Sequence, residues 1–270
     1  MNHDLLMVLE GATVHYQPIV DLNTRAIAGF EALLRIVDAD GKAGSIDPVI
    51  EQIESHPVLL ERLMRRLLGT IRRDTVPLFD RYPGFYVSVN VPPAILGART
   101  ALGEPTIRGM LAELGLMPYQ DRLVCEITER QALSAQGRAA LDLGRQNGIR
   151  LAVDDFGTGH SGIAQMLGLT IDILKLDRSQ IVLLTKDVTA ERLVRGIIAL
   201  ASLTRARTVA EGVESAAQAF FVQAAGVDYG QGWFWSPALP AAELPKVLEA
   251  GFPNWRRDLV ERLNEARDCR

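Results

Sequence analysis

The chain has 270 residues, of which 48% are hydrophobic and 23% charged, and its formal net charge is −4. This is an ordinary composition for a globular protein, and the acidic balance argues against nucleic acid as a partner. No apolar stretch approaches the roughly 20 residues of a membrane span, and no basic segment followed by a long apolar one begins the chain. The two cysteines and four histidines lack metal-ligand spacing, which argues against a zinc site. We therefore expect a cytoplasmic protein that does not span a membrane.

Short apolar or β-branched runs alternate with helical patterns along the chain. In chain order, these runs predict strands at residues 14–20, 29–36, 85–90, 123–128, 150–155, 173–177, 208–212 and 228–235. Residues 48–71 predict a helix that is broken at Pro57. Asp187 can cap a later helix, and Ser215 can open another that runs to about Ala225. The helix after Asp187 has an apolar face formed by Leu193, Val194, Ile197, Ile198 and Ala201.

Eight strands alternating with helices over about 250 residues predict an α/β fold, a single TIM-like (β/α)₈ barrel. A doubly wound open sheet is the alternative, but the chain offers neither a GxGxxG segment after an early strand nor a P-loop. No linker or shift in composition divides the chain. We therefore predict one domain over residues 1–270, with a barrel core at about 12–250. An amphipathic C-terminal helix is expected at about 254–268.

Adjacent carboxylates at Asp154 and Asp155 follow the apolar run 151–153 and precede a glycine-rich turn. Burying such charges costs several kcal/mol per ion unless positive charge neutralises them, which suggests a functional site. Aspartate beside glycine also commonly caps turns, and this structural interpretation is the alternative.

A polar side chain lies in or just after each of the eight predicted strands. In chain order these residues are Gln17, Glu31, Asn90, Glu126, Asp154 with Asp155, Lys175, Glu211 and Gln231. Because the carboxyl ends of barrel strands form the active-site face, we expect these side chains to meet at one mouth. A single buried glutamate is usually a paired structural residue, but eight polar strand ends favour a functional cluster.

The charge of this cluster predicts its chemistry. Ligands that are all oxygen, without cysteine or histidine, favour Mg²⁺ or Mn²⁺. The carboxylates exceed what one ion needs, so we expect two ions about 3.5–4 Å apart that share a carboxylate and act on a phosphodiester. Lys175 would orient or deprotonate the attacking water, or stabilise charge on the phosphorus group. A structural salt bridge from Lys175 to Asp172 or Asp177 is the alternative.

The same residues resemble the EAL-domain family, the cyclic di-GMP-specific phosphodiesterases. The matching segments, in the family's order, are Tyr16–Val20, Glu31–Arg35, Asn90, Glu126–Glu129, Asp154–Gly159, Asp172–Ser179, Ala210–Glu214 and Gln231–Trp233. The match extends over about residues 12–240. The resemblance implies a barrel variant whose first strand is antiparallel to the others.

The resemblance also implies a role for each matching residue. The first metal ion would be bound by Glu31, Asn90, Glu126 and Asp154. The second would be bound by Asp154 as the bridging ligand, with Asp155 and Glu211. The catalytic set would be Lys175, Glu211 and Glu129, with Lys175 acting on the water and Glu129 fixing the loop that follows Asp155. The substrate contacts would be Gln17, Arg35 and Gln231, with Arg35 on a phosphate.

The function implied is hydrolysis of cyclic di-GMP to linear pGpG, by a homodimer formed through the loop after Asp155. A non-catalytic module that binds cyclic di-GMP and acts through a protein partner is the alternative, and so is an enzyme for another phosphodiester. The chain keeps every ligand and the lysine, which favours the enzyme. Departures from the family pattern occur at Pro92, His160, Gly162 and the segment 235–238, and they bear on loop behaviour, dimer strength and substrate affinity.

Overall fold

Eight strands close into a barrel in the computed structural model, which describes residues 9, 11–37, 43–45, 47–128, 133–157, 168–184 and 188–252. The strands are β1 (Ala12–Asp21), β2 (Ile27–Val37), β3 (Ala43–Ser45), β4 (Tyr86–Asn90), β5 (Leu123–Thr128), β6 (Arg150–Phe156), β7 (Ile173–Leu176), β8 (Arg207–Ala210), β9 (Tyr229–Gly230) and β10 (Leu239–Pro240). The short strands β3 and β10, which the sequence did not predict, extend the sheet outside the ring.

The barrel strands follow the order β1, β2, β4, β5, β6, β7, β8 and β9, and β9 pairs with β1 to close the ring. From β2 to β9 every neighbouring pair is parallel. Strand β1 is antiparallel to both of its neighbours. The barrel is therefore confirmed, as is the antiparallel first strand that the family resemblance implied. The expectation of a plain (β/α)₈ barrel is wrong for the first strand, which is antiparallel and is followed by a turn instead of a helix.

A tight turn explains why β1 runs the other way. Antiparallel strands need only a short connection, whereas parallel neighbours need a long crossover. Only residues 22–26 join β1 to β2, and the Asp21 carboxylate accepts hydrogen bonds from the backbone amides of Asn23 at 2.8 Å and Thr24 at 2.7 Å. No helix fits in that connection.

The helices surround the barrel between the parallel strands. They are α1 (Asp47–Glu54), α2 (Pro57–Arg81), α3 (Pro93–Gly97), α4 (Thr106–Glu113), α5 (Ala135–Gln146), α6 (Arg178–Leu183), α7 (Val188–Thr204), α8 (Ala216–Ala224) and α9 (Leu244–Ala250), with 3₁₀ turns at Met117–Arg122 and Ala241–Glu243. The break at Pro57 is confirmed. Helix α2 nevertheless continues ten residues beyond the predicted end at Ile71, through Pro77. Its buried face, which extends to Phe79, offsets the roughly 3 kcal/mol that an internal proline costs.

Two other helix predictions have different outcomes. The capping box at the start of α8 is confirmed, because Ser215 accepts from the Gln218 amide and the Gln218 side chain accepts from the Ser215 amide. In α7, Val194, Ile197 and Ala201 are buried as predicted, but Leu193 is 53% exposed, so its place on the apolar face is wrong. Asp187 and the predicted C-terminal helix lie outside the described residues.

The barrel interior is closed by a layer of apolar side chains, which we call the barrel plug. Side chains alternate along each strand, so one face of each strand points inward. The barrel plug consists of Ile19, Tyr86, Val124, Ala152, Ile173 and Val209. The much larger apolar core lies between the strands and the helices. The barrel plug therefore separates a mouth at the carboxyl ends of the parallel strands from a second opening at their amino ends.

The last barrel strand is shorter than its sequence predicts. Residues 228–235 predict a strand, but β9 covers only Tyr229–Gly230. Gly232 has a φ of +155°, and a Cβ atom there would lie 2.1 Å from the Val213 carbonyl oxygen. The chain therefore turns at Gly232, and Trp235 and Ser236 donate backbone hydrogen bonds to the Gly232 carbonyl. None of the described helices is both long and apolar enough to cross a membrane.

Candidate metal centre

The carboxyl ends of the parallel strands hold Lys175 inside a ring of four carboxylates. Its Nζ atom lies 2.5 Å from Glu211, 3.0 Å from Glu126, 3.3 Å from Asp154 and 3.4 Å from Glu31. The Lys175 residue is 1% exposed. One ammonium group facing four carboxylates leaves a large negative excess if all of them are ionised.

Burial and charge act in opposite directions on Lys175. Burial alone would lower its pKa, but Glu126, Glu211, Glu31 and Asp154 together raise the pKa well above its usual 10.5. The lysine is therefore a permanent cation at neutral pH. It cannot act as a base in this environment unless other positive charge takes its place beside the carboxylates.

The carboxylates differ in how the site affects their proton affinity. Burial raises the pKa of Glu126 and of Glu211; Lys175 opposes this, but the neighbouring carboxylates add to the increase. Burial would also raise the pKa of Glu31, but Lys175 and hydrogen bonds from Gln231 and Asn90 lower it. Protons on these carboxyl groups reduce the repulsion between their negative charges. Divalent cations would reduce the same repulsion, so the site is suited to bind them.

Two groups of three carboxylates meet at Asp154. The first is Glu31, Glu126 and Asp154, and the second is Asp154, Asp155 and Glu211. Within each group, one oxygen from each residue lies within 4.8 Å of the others. These donors are all hard oxygens, which fit Mg²⁺ or Mn²⁺. The arrangement offers two adjacent positions for a cation, and Asp154 belongs to both.

Amide side chains complete the inner face of the mouth. Asn90 donates from Nδ2 to Glu31 at 3.2 Å, so its carbonyl oxygen can serve as a ligand. Gln231 donates from Nε2 to Glu31 at 2.6 Å and to Gln17 at 3.1 Å. The antiparallel pairing of Gln17 with Glu31 puts residues of β1 and β2 side by side. The mouth therefore includes a side chain in or directly after each of the eight barrel strands.

The backbone at Asp155 has an unusual conformation. Its φ is +56°, in the left-handed region that few residues other than glycine adopt. Its amide donates to Asp154 Oδ1 at 2.9 Å. Asp154 therefore supports this turn, as the structural interpretation held, and also faces Lys175. The left-handed turn directs two successive carboxylates toward the same centre, which regular alternation along a strand would not do.

The alternative salt bridge for Lys175 is wrong. Asp172 pairs with Arg145 and also accepts a hydrogen bond from the Leu151 amide at 2.8 Å. Asp177 caps α6 by accepting from the Ser179 amide at 2.9 Å. Both aspartates therefore have structural partners, and neither forms an ion pair with Lys175 within the part of the chain that the structure describes.

A cleft of about 290 Å³ lies above the carboxylates. It is lined by Gln17, Glu31, Leu33, Arg178, Glu211, Gly212, Glu214, Gln231, Gly232 and Trp233. The family resemblance implied Gln17 and Gln231 as substrate contacts, and both line the cleft. Arg35 does not line it; its Nη1 donates to the Leu34 carbonyl at 3.0 Å. Glu129, His160 and Gly162 lie outside the described residues.

The residues that form the rim of this cleft lie in segments that match the family, but sequence reasoning assigned them no role. Arg178 pairs with Glu214 at 2.7 Å, and its side chain crosses Gly212, where a Cβ atom would lie 2.2 Å from Arg178 Cγ. Trp233 is 72% exposed beside them. A glycine between two glutamates, in the segment Glu211–Glu214, was a signal that could have indicated this rim. The contact between α6 and the residues after β8 could not be predicted from local patterns.

The sequence and the fold both match known proteins. A model of the EAL domain matches residues 7–238. A protein of Escherichia coli (strain K12) described as probable cyclic di-GMP phosphodiesterase PdeB is 33% identical over 238 residues, which is 87% of this chain and 44% of that protein. The similarly described PdeN of the same organism is 32% identical over 247 residues, 90% of this chain and 46% of that protein. The chain thus spans a little less than half the length of these relatives.

Two solved structures are similar over their nearly complete length. The structure described as PaMucR phosphodiesterase in complex with c-di-GMP is 28% identical, with a TM-score of 0.79, and the match covers 90% of this chain and 98% of that one. An EAL domain protein from Listeria monocytogenes EGD-e is 26% identical, with a TM-score of 0.73, covering 91% and 97%. The barrel is therefore the fold of these proteins.

Proposed function

Because this chain belongs to the EAL domain family, we propose that it is a metal-dependent phosphodiesterase that hydrolyses cyclic di-GMP to linear pGpG. The observation that carries the proposal is the pair of carboxylate groups that share Asp154 beside the buried Lys175. This is the donor set that two-metal hydrolysis of a phosphodiester requires. The relatives named as cyclic di-GMP phosphodiesterases supply the choice of substrate.

The proposed ligands divide between the two carboxylate groups. Glu31, Glu126 and Asp154, with the carbonyl oxygen of Asn90, would hold one ion. Asp154, Asp155 and Glu211 would hold the other. Divalent ions in such a site lower the pKa of water and stabilise the charge on phosphodiester oxygens. Glu211 belongs to the catalytic set through this role.

Lys175 has two tasks in the proposal. In the metal-free protein its ammonium group stabilises the ring of four carboxylates, as the short ion pairs indicate. With the carboxylates neutralised by cations, its pKa falls toward its usual range, and the ammonium can orient the attacking water or stabilise charge on the phosphate.

The cleft above the carboxylates would hold the substrate. Gln17 and Gln231 present amide groups at its base. Arg35 remains a proposed phosphate contact, since it lies four residues beyond Glu31 on the same face of β2. That role requires its guanidinium to leave the Leu34 carbonyl. Glu129 remains proposed as the residue that fixes the loop after Asp155.

We expect the purified chain to convert cyclic di-GMP to pGpG with Mn²⁺ or Mg²⁺, and we expect Ca²⁺ to inhibit the reaction. Ca²⁺ prefers oxygen distances of about 2.3–2.6 Å rather than 2.0–2.1 Å, so it would displace the reacting groups. The measurement is chromatographic separation of products with each ion, and with EDTA as the control. Tight binding of cyclic di-GMP without product under every metal condition would instead support the non-catalytic module. Faster cleavage of an unrelated phosphodiester would contradict the choice of substrate.

We also propose a homodimer formed near the segment that follows Asp155. Residues 156 and 157 contact α6 and α7: Gln180 donates to the Phe156 carbonyl at 2.7 Å, and a Cβ atom at Gly157 would lie 3.4 Å from Ile197. Around this place, Leu183, Val188 and Leu193 are 45%, 65% and 53% exposed. Exposed apolar side chains at the end of α6 and in the first part of α7 favour a protein contact there.

Leu193→Glu should therefore yield a monomer in light scattering coupled to size-exclusion chromatography, because it puts a charge into the proposed apolar contact. Leu203→Glu is the matched control, since Leu203 is 83% exposed at the far end of the same helix. A wild-type monomer at micromolar concentration, or dissociation by both variants alike, would contradict this interface.

A further inference from the structure

The end of the barrel opposite the candidate metal centre opens into a second cleft, of about 780 Å³. We call it the basal cleft. It is lined by the turn between β1 and β2, the segments that begin β4, β6 and β9, and the end of α9. The barrel plug lies between it and the carboxylates. Its volume is in the range of about 300–1,000 Å³ that small-molecule sites usually have.

Arg150 is a cation at the floor of the basal cleft. It begins β6, two residues before Ala152 and four before Asp154, both of which face inward. Arg150 therefore lies on the same interior face, at the opposite end of the strand from Asp154. Its guanidinium carbon lies 4.5 Å from the centre of the Tyr86 ring. It forms no ion pair with a carboxylate in the described part of the chain. The stacked ring fixes the guanidinium and leaves its donors available.

Arg25 supplies a second uncompensated charge at the rim. It has a φ of +68° in the turn between β1 and β2, and no described carboxylate forms an ion pair with it. The two carboxylates that line the basal cleft already have partners. Asp21 accepts from the backbone amides of residues 23 and 24, and Glu249 accepts from Arg81 at 2.7 Å and from Tyr82 at 2.6 Å.

Aromatic rings line the rest of the basal cleft. Tyr82 and Tyr229 are partly exposed there, and Tyr86 is buried at 3% exposure, with no hydrogen-bond partner found for its hydroxyl among the described residues. A guanidinium group matches phosphate oxygens in pairs, and tyrosine rings stack on bases. We propose that the basal cleft binds a phosphate-bearing nucleotide, with Arg25 and Arg150 on the phosphate. This site is separate from the metal centre and does not depend on the proposed hydrolysis.

The experiment is calorimetric titration of the full chain with GMP in EDTA. Without divalent ions, the excess of carboxylates at the mouth repels phosphate, so binding there does not contribute. We expect submillimolar binding by the wild-type chain. Arg150→Gln and Arg25→Asn should each weaken it at least about tenfold, the value of one hydrogen bond to a charged group. Arg178→Gln, which removes a cation from the opposite end, is the matched control and should bind GMP as the wild type does.

Arg25→Asn also guards against misfolding, because asparagine tolerates the left-handed conformation at that position. Inorganic phosphate should compete with GMP, and guanosine should bind at least tenfold more weakly than GMP. No binding by the wild type, equal binding of guanosine and GMP, or unchanged affinity in both folded basal variants would overturn the proposal. If the wild-type chain binds GMP in this way but does not hydrolyse cyclic di-GMP under any metal condition, the proposed function is contradicted and the basal site is not.

Discussion

Asp154→Asn is expected to reduce cyclic di-GMP hydrolysis by about 10³-fold or more, since a single lost electrostatic contact to a reacting group already costs about 10²–10³. The substitution keeps the size of the side chain but removes charge from both carboxylate groups, because Asp154 is their shared member. No other ligand in the set contributes to both. Initial rates with Mn²⁺ measure the effect.

Asp154→Asn should also separate stability from activity. In the metal-free protein it removes one of the four carboxylates around Lys175, so the melting temperature should stay level or rise by a few degrees. The increase in melting temperature that Mn²⁺ gives the wild type should be largely lost. Asp142→Asn, on the exposed face of α5, is the control and should change neither property. Substantial residual turnover by Asp154→Asn would contradict the shared-ligand arrangement.

Lys175→Met is expected to lower turnover by about 10²–10⁴-fold, the range for a group that positions or transfers a proton. It should also lower the free energy of unfolding of the metal-free protein by about 3–5 kcal/mol, because it leaves buried carboxylates without their cation. Mn²⁺ should restore much of that stability but not the activity. Urea unfolding with and without Mn²⁺, beside initial rates, tests both statements.

Lys246→Met is the matched control for Lys175→Met. The Lys246 side chain is 81% exposed, with only a 3.8 Å ion pair to Glu243, so its loss should cost less than about 0.5 kcal/mol and leave the rate unchanged. Wild-type turnover by Lys175→Met would remove the lysine from the mechanism. Equal destabilisation by both substitutions would show that the ring of carboxylates does not need a buried cation.

The sequence predicted which carboxylates would lie together better than it predicted the details of the fold. Polar residues in or just after apolar runs identified Glu31, Glu126, Asp154 and Glu211, because apolar residues would otherwise be expected at those positions of a barrel strand. The closed barrel then brings those ends together, as the ion pairs of Lys175 show. The rule that the carboxyl ends of barrel strands meet at one face was enough to predict that Glu31 and Glu211, 180 positions apart in the chain, lie close together.

Features that depend on tertiary contacts could not be predicted from local patterns. The direction of β1 was implied only by the family resemblance, because alternation looks the same in a parallel and an antiparallel strand. Leu193 fits the helical period but faces outward, since the buried arc of α7 is narrower than its apolar residues suggest. Gly232 ends β9 early because of a contact with Val213, more than fifteen residues away.

The closure of the barrel through β1 has a consequence for biosynthesis. The first strand closes the ring by pairing with β9, so the ring cannot form until roughly 220 residues after Ala12 have left the ribosome. At about 5–20 residues per second, that delay is about 11–44 s. During this time the nascent chain exposes the unpaired edge of its parallel strands, which is a template for intermolecular pairing. Chaperone occupancy on translating ribosomes should therefore persist until the last strands emerge.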